Sequence, residues 1–298
     1  MGKFEVKKDL LVFKGGATKY QGEDGEREGA EVGLFICDES FAEGKIEVDV
    51  KFKGSSSSSC ADIVLYYDPA GKYTLDAGIG NSSLFTIRHF DTKWTEHASS
   101  GSSNLIIPNK FYHIEASLHG STVTLIVDGV EVLRHTLPFS FPKSQVGLFC
   151  LDKTDIEFKN FKVKNVRPKA FVVMQFSTEY NDVYFEVIKS VCEEQNIEVM
   201  RIDEENGPGI IIQDITRAIN ESKMIIADIS PVNANVFYEV GYAHALNKPT
   251  ILIAEKGTKL PFDVSAFRTL FYENTIGGKS KLESGLKKHI EAILLKQG

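Results

Sequence analysis

The chain has 298 residues, 42% hydrophobic and 25% charged, a globular balance that excludes a disordered, collagen-like or coiled-coil protein. Lys and Arg number 34 against 41 Asp and Glu, a net charge of -7, so the chain is not built to neutralise a phosphate backbone and no nucleic-acid partner is expected. No apolar run reaches the roughly 18 residues of a bilayer-crossing helix, and the charged start Met1-Gly2-Lys3-Phe4-Glu5 is unlike a signal peptide; together these predict a cytoplasmic chain with no membrane partner.

Residues 4–163 read as short alternating runs, such as 45–52 and 122–127, broken by Gly, Ser, Asp and Pro. Period two at this spacing predicts antiparallel strands in an all-β, two-sheet sandwich. Asp128-Gly129, set between Leu125-Ile126-Val127 and Val130-Glu131-Val132, is a two-residue hairpin signal, because both residues tolerate positive φ. From Lys169 the period changes. Strands are predicted at 170–176, 197–202, 224–229, 250–254 and 268–272, with helices at 181–195, 209–221, 235–247 and a last one through Leu295. This alternation predicts a parallel, doubly wound, five-stranded α/β sheet. The change falls at Asn165-Val166-Arg167-Pro168, which divides the chain into domains 1–166 and 167–298. Basic residues number 20 against 23 acidic up to Arg167, and 14 against 18 beyond it, so neither half is basic. Cys37, Cys60, Cys150 and Cys192 are scattered, with no Cys-x-x-Cys pair and no His at ligand spacing, which predicts reduced thiols and no metal site.

Open parallel sheets bind ligands beyond the strands' carboxyl ends where strand order reverses, here between the first and third strands. The loops at that point supply Gln175 and Phe176 on one side, and Asp228 and Asn235 on the other, followed by a helix with Tyr238 and Glu239. Asn233 or Asn235 can cap this helix, Val236, Val240 and Ala243 would face the sheet, and Gly241 would permit close backbone packing. Several positions keep two readings. Phe176 and Tyr238 stack on a base or pack in the core; Asp228 holds sugar hydroxyls or caps a turn; Asp203 reaches the pocket or stays in a solvated loop; His244 is structural or a general acid. Gly207-Pro208-Gly209 is a loop stop or a phosphate contact, and no Walker or dinucleotide glycine motif occurs.

The block Asn233-Ala234-Asn235-Val236-Phe237-Tyr238-Glu239-Val240-Gly241-Tyr242-Ala243-His244-Ala245, with Ala227-Asp228 before it and Lys248-Pro249-Thr250 after it, resembles the nucleoside 2-deoxyribosyltransferase-like and TIR-like domains. Gln175 stands where related sequences often have Pro. The resemblance implies a flavodoxin-like sheet and chemistry at an N-glycosidic bond, with Glu239 as the catalytic carboxylate that stabilises or traps a ribosyl cation. Gln175, Phe176, Asp203, Asp228, Asn235 and Tyr238 are then the substrate-binding set. It implies NAD or a related nucleotide as substrate, no separate cofactor, self-association into a homo-oligomer and a role as a bacterial antiviral defence effector. Two alternatives stand beside it: a nucleoside 2-deoxyribosyltransferase, and a non-catalytic nucleotide-sensing module whose sandwich binds glycans or proteins.

The first half, through Phe111-Tyr112-His113-Ile114-Glu115, Asp128-Gly129 and Val146-Gly147-Leu148-Phe149, looks like concanavalin A-like or laminin-G-like sandwiches. Glycosidases on that fold often carry Glu-x-Asp-x-x-Glu. Glu47 and Asp49 fit its first two places but Phe52 occupies the third, so hydrolysis in this half is not expected, while a small-molecule or glycan ligand at Tyr66, Tyr67, Trp94 or His97 is an open expectation.

Overall fold

The computed structural model describes residues 2–22, 25–54, 56–70, 72–139, 141–204 and 211–295; Gly207-Pro208-Gly209 therefore lies outside the described residues. Two compact units result, one of Met1–Leu118, Thr122–Leu137 and Lys143–Val166, the other of His119–Ser121, Pro138–Pro142 and Arg167–Gly298. Among the described residues no helix is long and apolar enough to cross a membrane.

The first unit is a sandwich of two seven-stranded antiparallel sheets. One sheet runs β1 (Lys3–Lys7), β2 (Leu10–Lys14), β14 (Ile156–Asn165), β5 (Gly44–Phe52), β10 (Phe111–His119), β11 (Thr122–Val127), β12 (Val130–Thr136). The other runs β3 (Ala17–Gly22), β4 (Gly25–Phe41), β13 (Ser144–Asp152), β6 (Cys60–Asp68), β7 (Tyr73–Gly80), β8 (Phe85–Phe90), β9 (Trp94–Ser100). In β5 the alternation is complete: Ile46, Val48, Val50 and Phe52 are buried, while Lys45, Glu47, Asp49 and Lys51 face outward. Asp128 and Gly129 close the β11–β12 hairpin with φ of +50 and +81, the pair of positive angles a type I′ turn requires. In the second sheet Ile63, Ala77 and Ile87 stand in register and are wholly buried, so the alternate positions Asp62, Asp76 and Arg88 share its other face. Those three charged residues are also buried, and the candidate site below rests on this second layer.

The second unit is a five-stranded, all-parallel sheet in the order β16 (Glu198–Arg201), β15 (Lys169–Val173), β17 (Met224–Asp228), β18 (Thr250–Glu255), β19 (Thr269–Tyr272). Strand order therefore reverses between β15 and β17. The interior strands are near-continuous apolar runs because both faces are covered. On one face Tyr184, Ile188, Val191, Leu286 and Ile290 pack; on the other, Ile215, Ile219, Val236, Val240 and Ala243. The single helix expected at 181–195 is instead α1 (Thr178–Asp182) passing through a π-helical segment (Val183–Lys189) into α2 (Ser190–Glu194). A wider turn changes which residues share a face, so the 3.6-residue pattern alone could not report it. The remaining α-helices described are α3 (Ile211–Glu221), α4 (Ala234–Ala245), α5 (Phe262–Ser265) and α6 (Ile276–Leu295). Lys248, itself buried, donates from Nζ to the carbonyls of Asn220 (2.5 Å) and Ser222 (2.9 Å), meeting acceptors that the end of α3 leaves open.

Candidate functional site

In the α/β unit the loop after β15 and the start of α4 meet at the reversal point. Asn233 is the N-cap of α4: its extended backbone turns the chain and its Oδ1 accepts from the Asn235 amide at 2.9 Å. Asn233 Nδ2 also donates to Gln175 Oε1 at 3.1 Å, tying the two loops together. Capping thus belongs to Asn233, and Asn235 is left exposed on the rim. Beside the tie lies a cleft of about 380 Å³ lined by Gln175, Phe176, Asn235, Tyr238 and Glu239, with Met174, Ile202 and Val236 among its apolar neighbours.

Five of the seven expected site residues therefore come together. Phe176 and Tyr238 are half exposed or more, at 50% and 58%, so neither is a core residue. Glu239 is half-buried, and burial alone pushes its carboxyl up to about 7. No hydrogen bond or ion pair engages it among the described residues. Such a carboxyl is both a proton donor and a proton acceptor near neutral pH.

The other two do not line the cleft. Asp203 is held by Arg201, whose Nε and Nη2 donate to the two carboxylate oxygens at 2.6 and 2.7 Å. Arg201 in turn is buried, bonded to Asn181 Oδ1 at 3.1 Å and stacked 4.2 Å from the Tyr184 ring centre. Asp228 is fully buried and accepts from Tyr272 Oη at 2.8 Å and from the Ser230 amide at 2.9 Å, with burial pushing its pKa up to about 6. Both acids are spent on the fold's own donors: Asp203 on Arg201, two residues before it, and Asp228 on Ser230 and on Tyr272, 44 residues further along the chain. Gly241 has open space where a Cβ would stand, so it does not serve close packing. His244 stacks on Phe267 at 4.4 Å, a structural role.

In the sandwich a second depression, of about 410 Å³, lies on the second sheet's face away from the core. Its walls are Val32 and Leu34 of β4, Phe149 and Leu151 of β13, Tyr67 and Pro69 at the end of β6, Thr74 of β7, Phe90 of β8 and Trp94 of β9. Trp94 packs on Phe90 (5.3 Å) and edge-on to Phe149 (5.1 Å). Beneath them, Arg88 places its guanidinium 4.1 Å from the Trp94 ring centre and donates from Nη2 to Asp62 Oδ2 at 2.6 Å. Asp76, also fully buried, accepts from Thr74 Oγ1 at 3.2 Å; burial pushes it well above the usual carboxylate range, and nearby Asp62 adds to this. Of the four residues expected to bind a ligand here, Tyr67 and Trp94 line the depression. Tyr66 and His97 belong instead to a ring ladder in which Tyr66 meets Tyr73, Tyr73 stacks on His89, His89 on His97 and His97 on His135. Sequence reasoning missed Arg88, Asp62 and Asp76; three charged residues at alternate places in otherwise apolar strands were the available signal.

The glycosidase-like pair is disarmed. Glu47 is held below its usual range by Lys45 at 2.7 Å, and the same lysine binds Glu115. Burial pushes Asp49 up, yet bonds from His113 and Asn160, each 2.7 Å, hold it below the ordinary value. Both carboxyls are biased toward the ionised form, and Phe52, where a second glutamic acid would have to stand to donate a proton, is buried in the core. Among the described residues no group of three or more His, Cys, Asp and Glu could hold a metal ion.

No family model matches the chain and no curated protein resembles it. Solved structures do. The carbohydrate-binding module CBM66 from Bacillus subtilis is similar at 19% identity over 49% of this chain and 89% of that one, with a TM-score of 0.40. A prokaryotic β-1,3-1,4-glucanase (lichenase) derived from a mouse hindgut metagenome matches at 10% over 53% and 80%, TM-score 0.37, and the Bacillus licheniformis β-glucanase at 8% over 53% and 79%, TM-score 0.37. These likenesses reach about half of the chain and fall on the sandwich. These three are named for glycans and not for NAD, and the expectation of an NAD-cleaving hydrolase acting in antiviral defence is withdrawn on that finding.

Proposed function

We propose that the protein is a ligand-binding module whose sandwich half, of the concanavalin A-like kind, takes a glycan in the Trp94 depression. The observation that carries this is the plate of Trp94, Phe90 and Phe149 walling an open, mostly apolar hollow of about 410 Å³. Sugar rings present apolar C–H faces that pack on aromatic rings, while their hydroxyls stay hydrated at a polar rim. The pairing of Glu47 with Lys45 and of Asp49 with His113, and the absence of a third carboxyl at Phe52, favour binding over hydrolysis in this unit. Trp94 is the chain's one tryptophan, so titration with mixed-linkage β-glucan oligosaccharides, with an α-glucan for comparison, should change its fluorescence saturably. Trp94→Phe gives no such signal and is followed by calorimetry, with Phe149→Ala as the second variant; both should weaken binding about tenfold or more. Binding untouched by both variants, or no binding to any polysaccharide offered, refutes the reading.

The Glu239 cleft favours a second ligand, a nucleoside or nucleotide, in the flavodoxin-like unit. Phe176 and Tyr238 offer ring faces, Gln175 and Asn235 offer amides, and Glu239 is the group suited to proton transfer. Calorimetry with a nucleoside panel tests occupancy, and chromatography of the recovered ligand tests turnover. Turnover that disappears in Glu239→Gln, with the fold intact, makes Glu239 catalytic; equal binding by Glu239→Gln and Tyr238→Ala removes the cleft from the function. Self-association is a further part of this proposal, read by sedimentation with and without ligand.

A further inference from the structure

At the edge of the parallel sheet opposite the Glu239 cleft, where β18 begins and the chain enters β19, lies a cavity of about 550 Å³. Arg268, Lys288 and His289 line it together with Phe267, Ile251 and Ile293, and no carboxylate is among its lining residues. Neither Arg268 nor Lys288 has a hydrogen-bond or ion-pair partner among the described residues. Other cations of this unit are neutralised: Lys287, next to Lys288 in the helix, meets Glu194 at 2.5 Å, and Arg217, on α3 at the other face of the sheet, meets Asp214 at 2.9 Å. His289 donates from Nδ1 to the Gly285 carbonyl at 2.9 Å, which leaves Nε2 as the nitrogen available to a ligand. Phe267 is 48% exposed, with His244 stacked against its ring.

We propose that this cavity binds a small anion with an apolar body, of the aryl phosphate class. A guanidinium matches two phosphate oxygens with parallel N–H bonds, an ammonium adds a point charge, and Phe267, Ile251 and Ile293 cover the ring. The volume suits a ligand of that size. Because this edge of a parallel sheet presents strand starts and no helix N-terminus from α6, recognition of charge falls on the side chains, and single substitutions should be felt strongly.

The probe is phenyl phosphate, titrated calorimetrically into the full chain. The wild type should bind it at one site, and Arg268→Gln and Lys288→Gln should each weaken binding about tenfold or more. Arg217→Gln, which removes the same charge outside the cavity, should bind as the wild type does. No saturable binding, phenol binding as tightly as its phosphate, or equal weakening by Arg217→Gln overturns the proposal. Circular dichroism checks that each variant is folded, and if Arg268→Gln is not, Lys288→Gln decides. Phenyl phosphate binding that survives both cavity variants places it elsewhere and refutes the inference while leaving the Glu239 reading intact.

Discussion

Asp228→Asn should stabilise the α/β unit at neutral pH, against the usual rule that removing a buried acid with two hydrogen bonds is harmful. Asp228 is fully buried, and its pKa stands at about 6 in the fold against 3.8 for the free side chain. A carboxyl raised in this way is disfavoured as the anion. The fold therefore carries a penalty of about 3 kcal/mol at pH 7 and above, which fades as pH falls through about 6 and is gone below about 4. Asparagine keeps the shape. Its carbonyl can accept from the Ser230 amide and its amide can donate to Tyr272 Oη, with about 1 kcal/mol lost for the rearranged bond. The net expectation is a gain of about 1–2 kcal/mol at pH 8 and a loss of about 1 kcal/mol at pH 4. Urea titrations followed at 222 nm read this unit, because its α-helices are the only α-helices among the described residues. A variant less stable than wild type by the same amount at both pH values would show that Asp228 is not held in an anion-hostile site.

Three further outcomes follow from named contacts. His97, where burial and the neighbouring His89 and His135 bring the pKa down to about 4 from 6.5, favours its neutral form in the fold; the stability it contributes is present above pH 6.5 and lost as pH falls toward 4. The urea midpoint read by Trp94 fluorescence should drop over that window, and less so in His97→Gln. Lys248→Met removes two donors from carbonyls at the end of α3 and should destabilise the α/β unit by about 2–3 kcal/mol in the same 222 nm titration. Gly147→Ala would set a Cβ 1.9 Å from the Phe35 carbonyl oxygen in the adjacent strand, so a loss of about 3 kcal/mol or more is expected in the fluorescence-detected transition.

The elements were legible where the signal is local. Alternation in 45–52, the Asp128-Gly129 turn and the sheet-facing triplet Val236, Val240 and Ala243 each depend on neighbours within a few residues, and each appears as read. The cleft was legible in part for the same reason: Gln175, Phe176, Asn235, Tyr238 and Glu239 follow from strand ends and one helix start. What escaped depends on where side chains point and on distant pairing. Asp203 has the residue type of a ligand but is taken by Arg201, two residues before it, whose side chain the buried Asn181 and Tyr184 contacts orient; Asp228 faces Tyr272, which only the folded chain brings to it. The choice of Asn233 over Asn235 as cap turns on one backbone angle, and Gly241 on empty space around it. The Trp94 depression was the least legible, since its walls come from six strands spread over residues 32–151.

Arg88 has a consequence for how that depression would work. A guanidinium 4.1 Å under the indole and 5.3 Å from Phe149, bonded to a buried carboxylate, holds both rings from the inside of the sheet. A ligand of the kind proposed above would meet rings whose places are set by contacts within the sandwich. If that reading holds, selection would be by a shape already present, with little of the binding free energy consumed in ordering the walls.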